Sequence, residues 1–111
     1  MPLLDQKKNE SFLLVLNQLK QIDPEFPIQY AICLARIAER EGCSLTDLSE
    51  QTGLALSTVS RIVGALSNYR QKGEAYGLVD LRVSKTERRK KELFLTEKGL
   101  HTLTKILSSF E

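Results

Sequence analysis

The stretch Leu45-Thr-Asp-Leu-Ser-Glu-Gln-Thr-Gly53-Leu-Ala-Leu-Ser57-Thr-Val-Ser-Arg61-Ile-Val decides the reading of this chain. Ser44-Leu-Thr-Asp47 fits a capping box with Asp in place of the usual Glu or Gln, and opens a helix that buries Leu45 and Leu48. Gly53 supplies the left-handed backbone that a sharp turn requires. A second helix starts near Leu56, with Val59, Ile62, Val63 and Leu66 turned inward and Ser57, Thr58, Ser60 and Arg61 at the exposed front. Two helices joined by so short a turn cross steeply.

Downstream, Leu78–Val83 alternates Val79, Leu81 and Val83, and Lys91–Leu95 alternates Leu93 and Leu95. Ser84–Lys90 between them is a basic tip, so the pair reads as a hairpin. Asn68–Gly77 reads as a helix tail and loop, with Gly73 and Gly77 as stops. A helix-turn-helix followed by a basic hairpin offers one element to the major groove of DNA and another to its backbone and minor groove.

Around this centre, three more helices are expected. Residues 1–10 are polar and read as frayed. Ser11 caps a helix to about Gln21, with Phe12, Val15, Leu16, Leu19 and Ile22 on one stripe and Leu13 and Leu14 off it. Asp23-Pro24-Glu-Phe-Pro27 breaks that helix. Ile28 to about Arg40 forms the next, with Ile28, Ala31, Ile32, Ala35 and Ala38 on one side, Leu34 and Ile37 broadening the face, and Gly42 ending it. Thr96 caps a last helix to about Ser109, with the stripe Leu100, Leu103, Ile106, Leu107 and Phe110.

The 111 residues suffice for one domain with a modest core. The start lacks a signal-peptide pattern and no apolar run reaches the roughly 20 residues of a membrane span, so the expected location is the cytoplasm, away from membranes. A net charge of +2 hides an uneven layout. Ser57–Lys91 holds nine basic and three acidic residues, a balance of +6, against −4 for the remainder. Such a dipolar chain turns one face toward a polyanion.

Three segments resemble the winged helix-turn-helix regulators of the MarR family. Leu45-Thr-Asp-Leu-Ser-Glu-Gln-Thr-Gly-Leu looks like that family's first helix and turn, and Ser57-Thr-Val-Ser-Arg-Ile-Val like its recognition helix. Glu87-Arg-Arg with Leu93-Phe-Leu-Thr-Glu-Lys-Gly looks like its wing and the following helix. The resemblance implies a mainly α fold with a small β-hairpin, a winged helix-turn-helix with flanking N- and C-terminal helices. It divides residues 1–111 into a dimerisation helix and linker (11–27), a winged-helix core (28–95) and a C-terminal helix (96–111). It implies a homodimer on near-palindromic double-stranded DNA, acting as a repressor. Ser57, Thr58, Ser60 and Arg61 fall to the major groove and Arg88 to the minor groove, with Arg89, Arg82, Lys85 and Lys90 completing the DNA-binding set. Ala55 and Leu56 stand where the family has a serine cap and a polar or basic residue, and the segment from Leu66 to Gly77 is about seven residues longer than usual. The family's longer C-terminal arm is expected to be truncated, which argues against a small-molecule effector.

Other readings are weaker. His101 is the only histidine, so neither a His-paired nucleophile nor a multi-histidine metal site forms, and no enzyme, cofactor or metal is expected. Cys33 reads as a core residue; Cys43, read as lying in a loop, is the candidate for thiol redox sensing. A winged helix used only for protein interaction has no need of Arg88-Arg-Lys-Lys after a major-groove-type helix.

Overall fold

The computed structural model describes residues 3–68, 74–87 and 90–110. Gly73, Arg88 and Arg89 lie outside the described residues. Helix α1 spans Gln6–Ile22, α2 Ile28–Glu39, α3 Leu45–Thr52, α4 Leu56–Leu66 and α5 Glu97–Leu107, ending in a 3-10 turn, Ser108–Phe110. Strands β1 (Cys43–Ser44), β2 (Val79–Val83) and β3 (Lys91–Leu95) form one antiparallel sheet in the order β1-β3-β2. The hairpin register pairs Val79 with Leu95, Leu81 with Leu93 and Val83 with Lys91.

The core lies where α2, α3 and α4 meet the sheet. Leu34, Ile37, Leu48, Val59, Ile62, Leu66, Leu78 and Leu93 are all fully buried there. Helix α4 contributes the face the periodicity assigns to it. Helix α2 does not: Cys33, Leu34 and Ile37 are its buried residues, while Ile28, Ile32 and Ala35 face outward. Only a narrow strip of α2 (Gln29, Arg36 and Glu39) is polar and the apolar arc is wide, so periodicity does not choose which part of that arc packs inward. The bulkier side packed against α3 and α4, where it fills more volume.

Two further expectations are corrected. Helix α1 starts at Gln6, not Ser11, because Asp5 is its N-cap and accepts a hydrogen bond from the Lys8 N–H at 3.1 Å. Ser11 instead donates its hydroxyl to the Lys7 carbonyl within the helix. The hairpin is also joined by β1, which pairs Cys43 with Leu93 and Ser44 with Glu92. A two-residue strand is too short to show alternation.

The long connection after α4 does not extend the helix, which ends at Leu66. The chain returns beneath it instead: Tyr76, Gly77 and Leu78 donate their N–H groups to the carbonyls of Ala65, Ser67 and Leu66 at 3.0, 2.9 and 2.7 Å. These bonds satisfy acceptors that every helix C-terminus leaves open. Tyr76 is held from the other side by edge-on contacts with Phe26 and Tyr30, at 5.1 and 6.2 Å between centroids, and by donating its hydroxyl to Asp23 at 2.6 Å.

Helix α5 is capped by Thr96, whose hydroxyl accepts from the Gly99 N–H at 2.9 Å and donates to the Gly77 carbonyl at 2.7 Å. It packs with α1 on one side of the core, and α1 contains no buried residue. The long axis of 53 Å and the radius of gyration of 15.3 Å reflect this extension; a compact chain of this length would have a radius of about 13 Å.

Gly99 is where α5 crosses Leu78. A β-carbon there would sit 2.0 Å from the Leu78 carbonyl oxygen, a backbone atom that cannot step aside alone. Gly→Ala in a helix ordinarily gains about 1 kcal/mol. Here the crowding reverses the sign, and Gly99→Ala should lose roughly 1–3 kcal/mol in denaturant unfolding. A raised midpoint would show that α5 does not depend on this close approach.

Candidate nucleic-acid interface

Helix α4 is held by α3 and by the turn between them. Ser44 and Asp47 make the reciprocal capping box: the Ser44 hydroxyl accepts from the Asp47 N–H at 3.1 Å, and the Asp47 carboxylate from the Ser44 N–H at 3.0 Å. Those bonds hold the Asp47 carboxyl below its ordinary range. At the turn, Gly53 is left-handed with φ of 75°. Ser49 donates its hydroxyl to the Leu54 carbonyl at 2.6 Å, and Thr52 donates to the Leu48 carbonyl at 2.8 Å. Hydroxyl groups thus tie the turn down at both ends.

With its inward face fixed, α4 exposes Ser57, Ser60 and Arg61 and leaves Thr58 half-buried. Ala55, the N-cap residue, has no side-chain hydrogen bond to offer, and among the described residues no side-chain cap is seen at this helix start. The first N–H groups of α4 therefore have no intrahelical or capping acceptor, as suits an element that meets anionic oxygens.

The wing has its own organiser. Ser84 is buried, and its hydroxyl oxygen accepts from the N–H groups of Thr86 and Glu87, both at 3.3 Å. The Ser84 N–H donates to the Lys90 carbonyl at 2.8 Å, closing the base of the tip. Lys85 and Lys90 are exposed on either side. A serine two and three residues ahead of the amides it accepts from is a turn signature, so this role was readable in Ser84-Lys-Thr-Glu.

Arg82 is engaged within the sheet. Its guanidinium lies 4.4 Å from the Phe94 ring centroid, and its Nε donates to Asp80 at 2.9 Å. Stacking of this kind fixes a planar cation and braces the wing.

Three segments meet in a cleft of about 500 Å³ beside the start of α4, lined by Ser44, Leu45, Thr46, Leu56, Ser57, Ser60, Lys90 and Lys91. It brings together Ser57, Ser60 and Lys90 of the expected set. Thr58 and Arg61 do not line it, and Arg82 and Lys85 lie on a separate concavity of the wing. Thr46, Leu56 and Lys91 join the cleft without having been in that set. Their partnership depends on β1 pairing with β3, which brings the start of α3 beside the wing. A larger cleft of about 600 Å³ lies between α1 and α5, where Gln18, Asp23, Tyr76, Lys98, His101 and Lys105 are among its lining residues.

Cys43 lies in strand β1 and is 2% exposed, not in an open loop. Burial pushes its thiol pKa up, and the nearby Asp47 carboxylate pushes the same way, outweighing the opposing pull of Arg40. A raised pKa in a closed site is the reverse of what a reactive thiolate needs. Cys33 is likewise buried, with its pKa raised by desolvation. Among the described residues, no group of three or more His, Cys, Asp or Glu side chains could hold a metal ion. No helix among them is long and apolar enough to cross a membrane.

Comparison with known proteins places this arrangement. The IclR helix-turn-helix domain model matches residues 34–70, a third of the chain that stops before the wing. Solved structures match wing and terminal helices as well. MepR of S. aureus, in a complex with DNA, superposes with a TM-score of 0.75 at 19% identity, over 93% of this chain and 77% of that one. RV1404 of Mycobacterium tuberculosis gives 0.73 at 19% identity, over 88% and 62%. PcaV, a transcriptional regulator of Streptomyces coelicolor, gives 0.63 at 23%, over 95% and 70%. MarR itself gives 0.67 at 17%, over 93% and 69%. The fold is the MarR-type winged helix-turn-helix. This chain spans about three-fifths of the RV1404 length. No protein of curated function matches it by sequence.

Two outcomes test the winged-helix frame. Asp47→Ala should cost about 1 kcal/mol at neutral pH, the worth of a cap. Because the folded pKa of Asp47 is lowered, its contribution is present above the ordinary carboxylate value near 4. It is lost as the pH falls through the lowered folded value, so wild type and variant should converge in acid-titrated unfolding curves. The second outcome concerns the thiols: iodoacetamide near pH 8 should label neither cysteine of the native chain, and both once denaturant unfolds it. Rapid native labelling of Cys43 would contradict its burial.

Proposed function

We propose that this protein is a sequence-specific, double-stranded DNA-binding transcriptional regulator, acting as a homodimeric repressor on a near-palindromic operator. The observation that carries the reading is the cleft where the start of α4, the start of α3 and Lys90 and Lys91 at the start of β3 converge. Ser44, Ser57, Ser60, Lys90 and Lys91 line one volume there, beside a helix start whose N-cap residue offers no side-chain bond. That donor set suits a phosphodiester backbone beside base edges. Likeness of fold to MepR, solved bound to DNA, and to CouR, a transcriptional repressor solved on a 23-mer duplex, supports it.

In this reading Ser57, Thr58, Ser60 and Arg61 enter the major groove. Arg61 is exposed and suits a bidentate pair with guanine, worth about 1–3 kcal/mol of discrimination. Lys85 and Lys90 contact the backbone from the wing, and Lys91 joins them. Arg82 shapes the wing through Phe94 and reaches DNA only by leaving Asp80. Arg88 serves the minor groove and Arg89 a phosphate, as the MarR-like sequence pattern suggests.

The terminal helices supply the dimer. Phe12, Leu13 and Leu14 of α1, Leu100 and Leu107 of α5 and Phe110 beyond it are each more than half exposed. Apolar surface of that extent suits a second copy of the chain. Two recognition helices would then sit one DNA turn apart, roughly 34 Å. A small-molecule effector is not part of this proposal, and the expected compartment is the cytoplasm.

Selection from a random duplex pool at near-physiological salt tests the whole reading. Enrichment of an inverted repeat with half-sites about 10 base pairs apart is expected. Weak binding that vanishes as salt rises, with no enriched sequence, would leave only charge attraction and favour a protein-interaction role. On the enriched site, Arg61→Ala should relax selectivity at one position per half-site. Lys90→Ala should weaken all sequences alike and lower the salt slope by about 1 for each phosphate left without its ammonium partner.

A further inference from the structure

Resting on that DNA-binding reading, the geometry points to Leu56 as a specificity residue that reads the C5-methyl group of a thymine. Leu56 is the first residue of α4 and is 50% exposed. Neither the core nor the helix explains a large apolar side chain there. The inward residues of α4 are Val59, Ile62, Val63 and Leu66, and the first turn carries no side-chain cap that Leu56 assists. Side chains on a helix lean toward its N-terminus, so Leu56 projects past the end of α4 into the cleft.

Its surroundings define what fits. Within that cleft Leu56 stands among Ser57, Ser60, Lys90 and Lys91, with only Leu45 as an apolar neighbour. An occupant must offer anionic or polar groups to the serines and lysines, and one small apolar group to Leu56 and Leu45. Duplex DNA satisfies both requirements, with phosphates and base edges supplying the first. The thymine methyl is the one apolar group that a base pair displays in the major groove. In a winged helix the N-terminal residues of the recognition helix are those that reach base edges. Leu56 therefore discriminates thymine from cytosine at its position by burying a methyl group, with no hydrogen bond to the base.

Deoxyuridine differs from thymidine only by that methyl group, which makes it the probe. On the duplex enriched by the full-length chain, each thymidine is replaced in turn by deoxyuridine, and affinities are measured for wild type, Leu56→Ala and Leu56→Met. One position per half-site should weaken wild type about fourfold, and about fifteenfold when both half-sites are changed, as expected for one methyl group each. Leu56→Ala should bind the thymidine site about that much more weakly and be indifferent to the replacement. Leu56→Met, which keeps apolar reach, should retain the sensitivity. Leu56 is half exposed, so the variants should unfold with the wild-type midpoint. If wild type binds its site but no replacement affects it, or every replacement affects all three proteins equally, the assignment to Leu56 is wrong while DNA binding stands. If none of the three binds any duplex, the assignment and the functional reading fall together.

Discussion

The backbone of Leu78 joins the parts of this molecule that must hold a fixed geometry. Its N–H donates to the Leu66 carbonyl at the end of α4, and its carbonyl accepts from the Thr96 N–H at the start of α5. Its side chain is buried in the core, and Gly99 leaves room for its carbonyl against α5. One residue therefore fixes the distal end of α4, the root of the wing and the origin of the C-terminal helix. Backbone hydrogen bonds in a buried setting are costly to leave unmade, so these three elements cannot drift independently. On either side of the connection before Leu78, the N–H groups of Tyr76, Gly77 and Leu78 reach the carbonyls of Ala65, Ser67 and Leu66.

That junction separates two surfaces of different character. On one side lie the outward turns of α4, the start of α3 and the basic hairpin, where hydroxyls and ammonium groups gather. On the other lie α1 and α5, whose apolar side chains are only partly covered by each other. The charge layout of the sequence follows the same partition, with +6 between Ser57 and Lys91 and −4 elsewhere. Tyr76 is packed between elements of the two surfaces. Tyr76 touches Phe26 at 5.1 Å and bonds Asp23 in the α1–α2 linker, while its own carbonyl accepts from Lys98 of α5 at 2.9 Å.

What was legible in the sequence is what local chemistry alone decides. The Ser44–Asp47 capping box, the left-handed Gly53, the inward face of α4, both hairpin strands and the Thr96 cap all emerge at the expected residues. Each rests on contacts within about four residues or on a periodicity with a single polar side. The failures share a different cause. Helix α2 has a wide apolar arc beside a narrow polar strip, so only its neighbours could choose Leu34 and Ile37 over Ile28 and Ile32. Strand β1 exists because β3 lies beside it, a partner fifty residues away. The burial of Cys43 follows from that pairing. Arg82 reads as one more cation until Phe94 and Asp80 are seen to engage it. Ser11 was a good cap in isolation, but Asp5 capped a longer helix first.

The start of α4 breaks two local rules at once. Its N-cap is an alanine, which forgoes about 1 kcal/mol relative to serine, and its first helical residue is a leucine left half in water. Neither departure has a compensating contact within the helix. Stability at this point comes from elsewhere: from the five buried side chains further along α4, and from hydroxyls that clamp the preceding turn. Local rules are most often broken where a surface is shaped for a partner, because the partner supplies what the free chain lacks. Here both deficits are of a kind that duplex DNA repairs. In the proposed reading, phosphate oxygens accept from the uncapped amides and a base methyl covers the exposed leucine. A protein partner could do either, but the lysines that line the same cleft suit a polyanion.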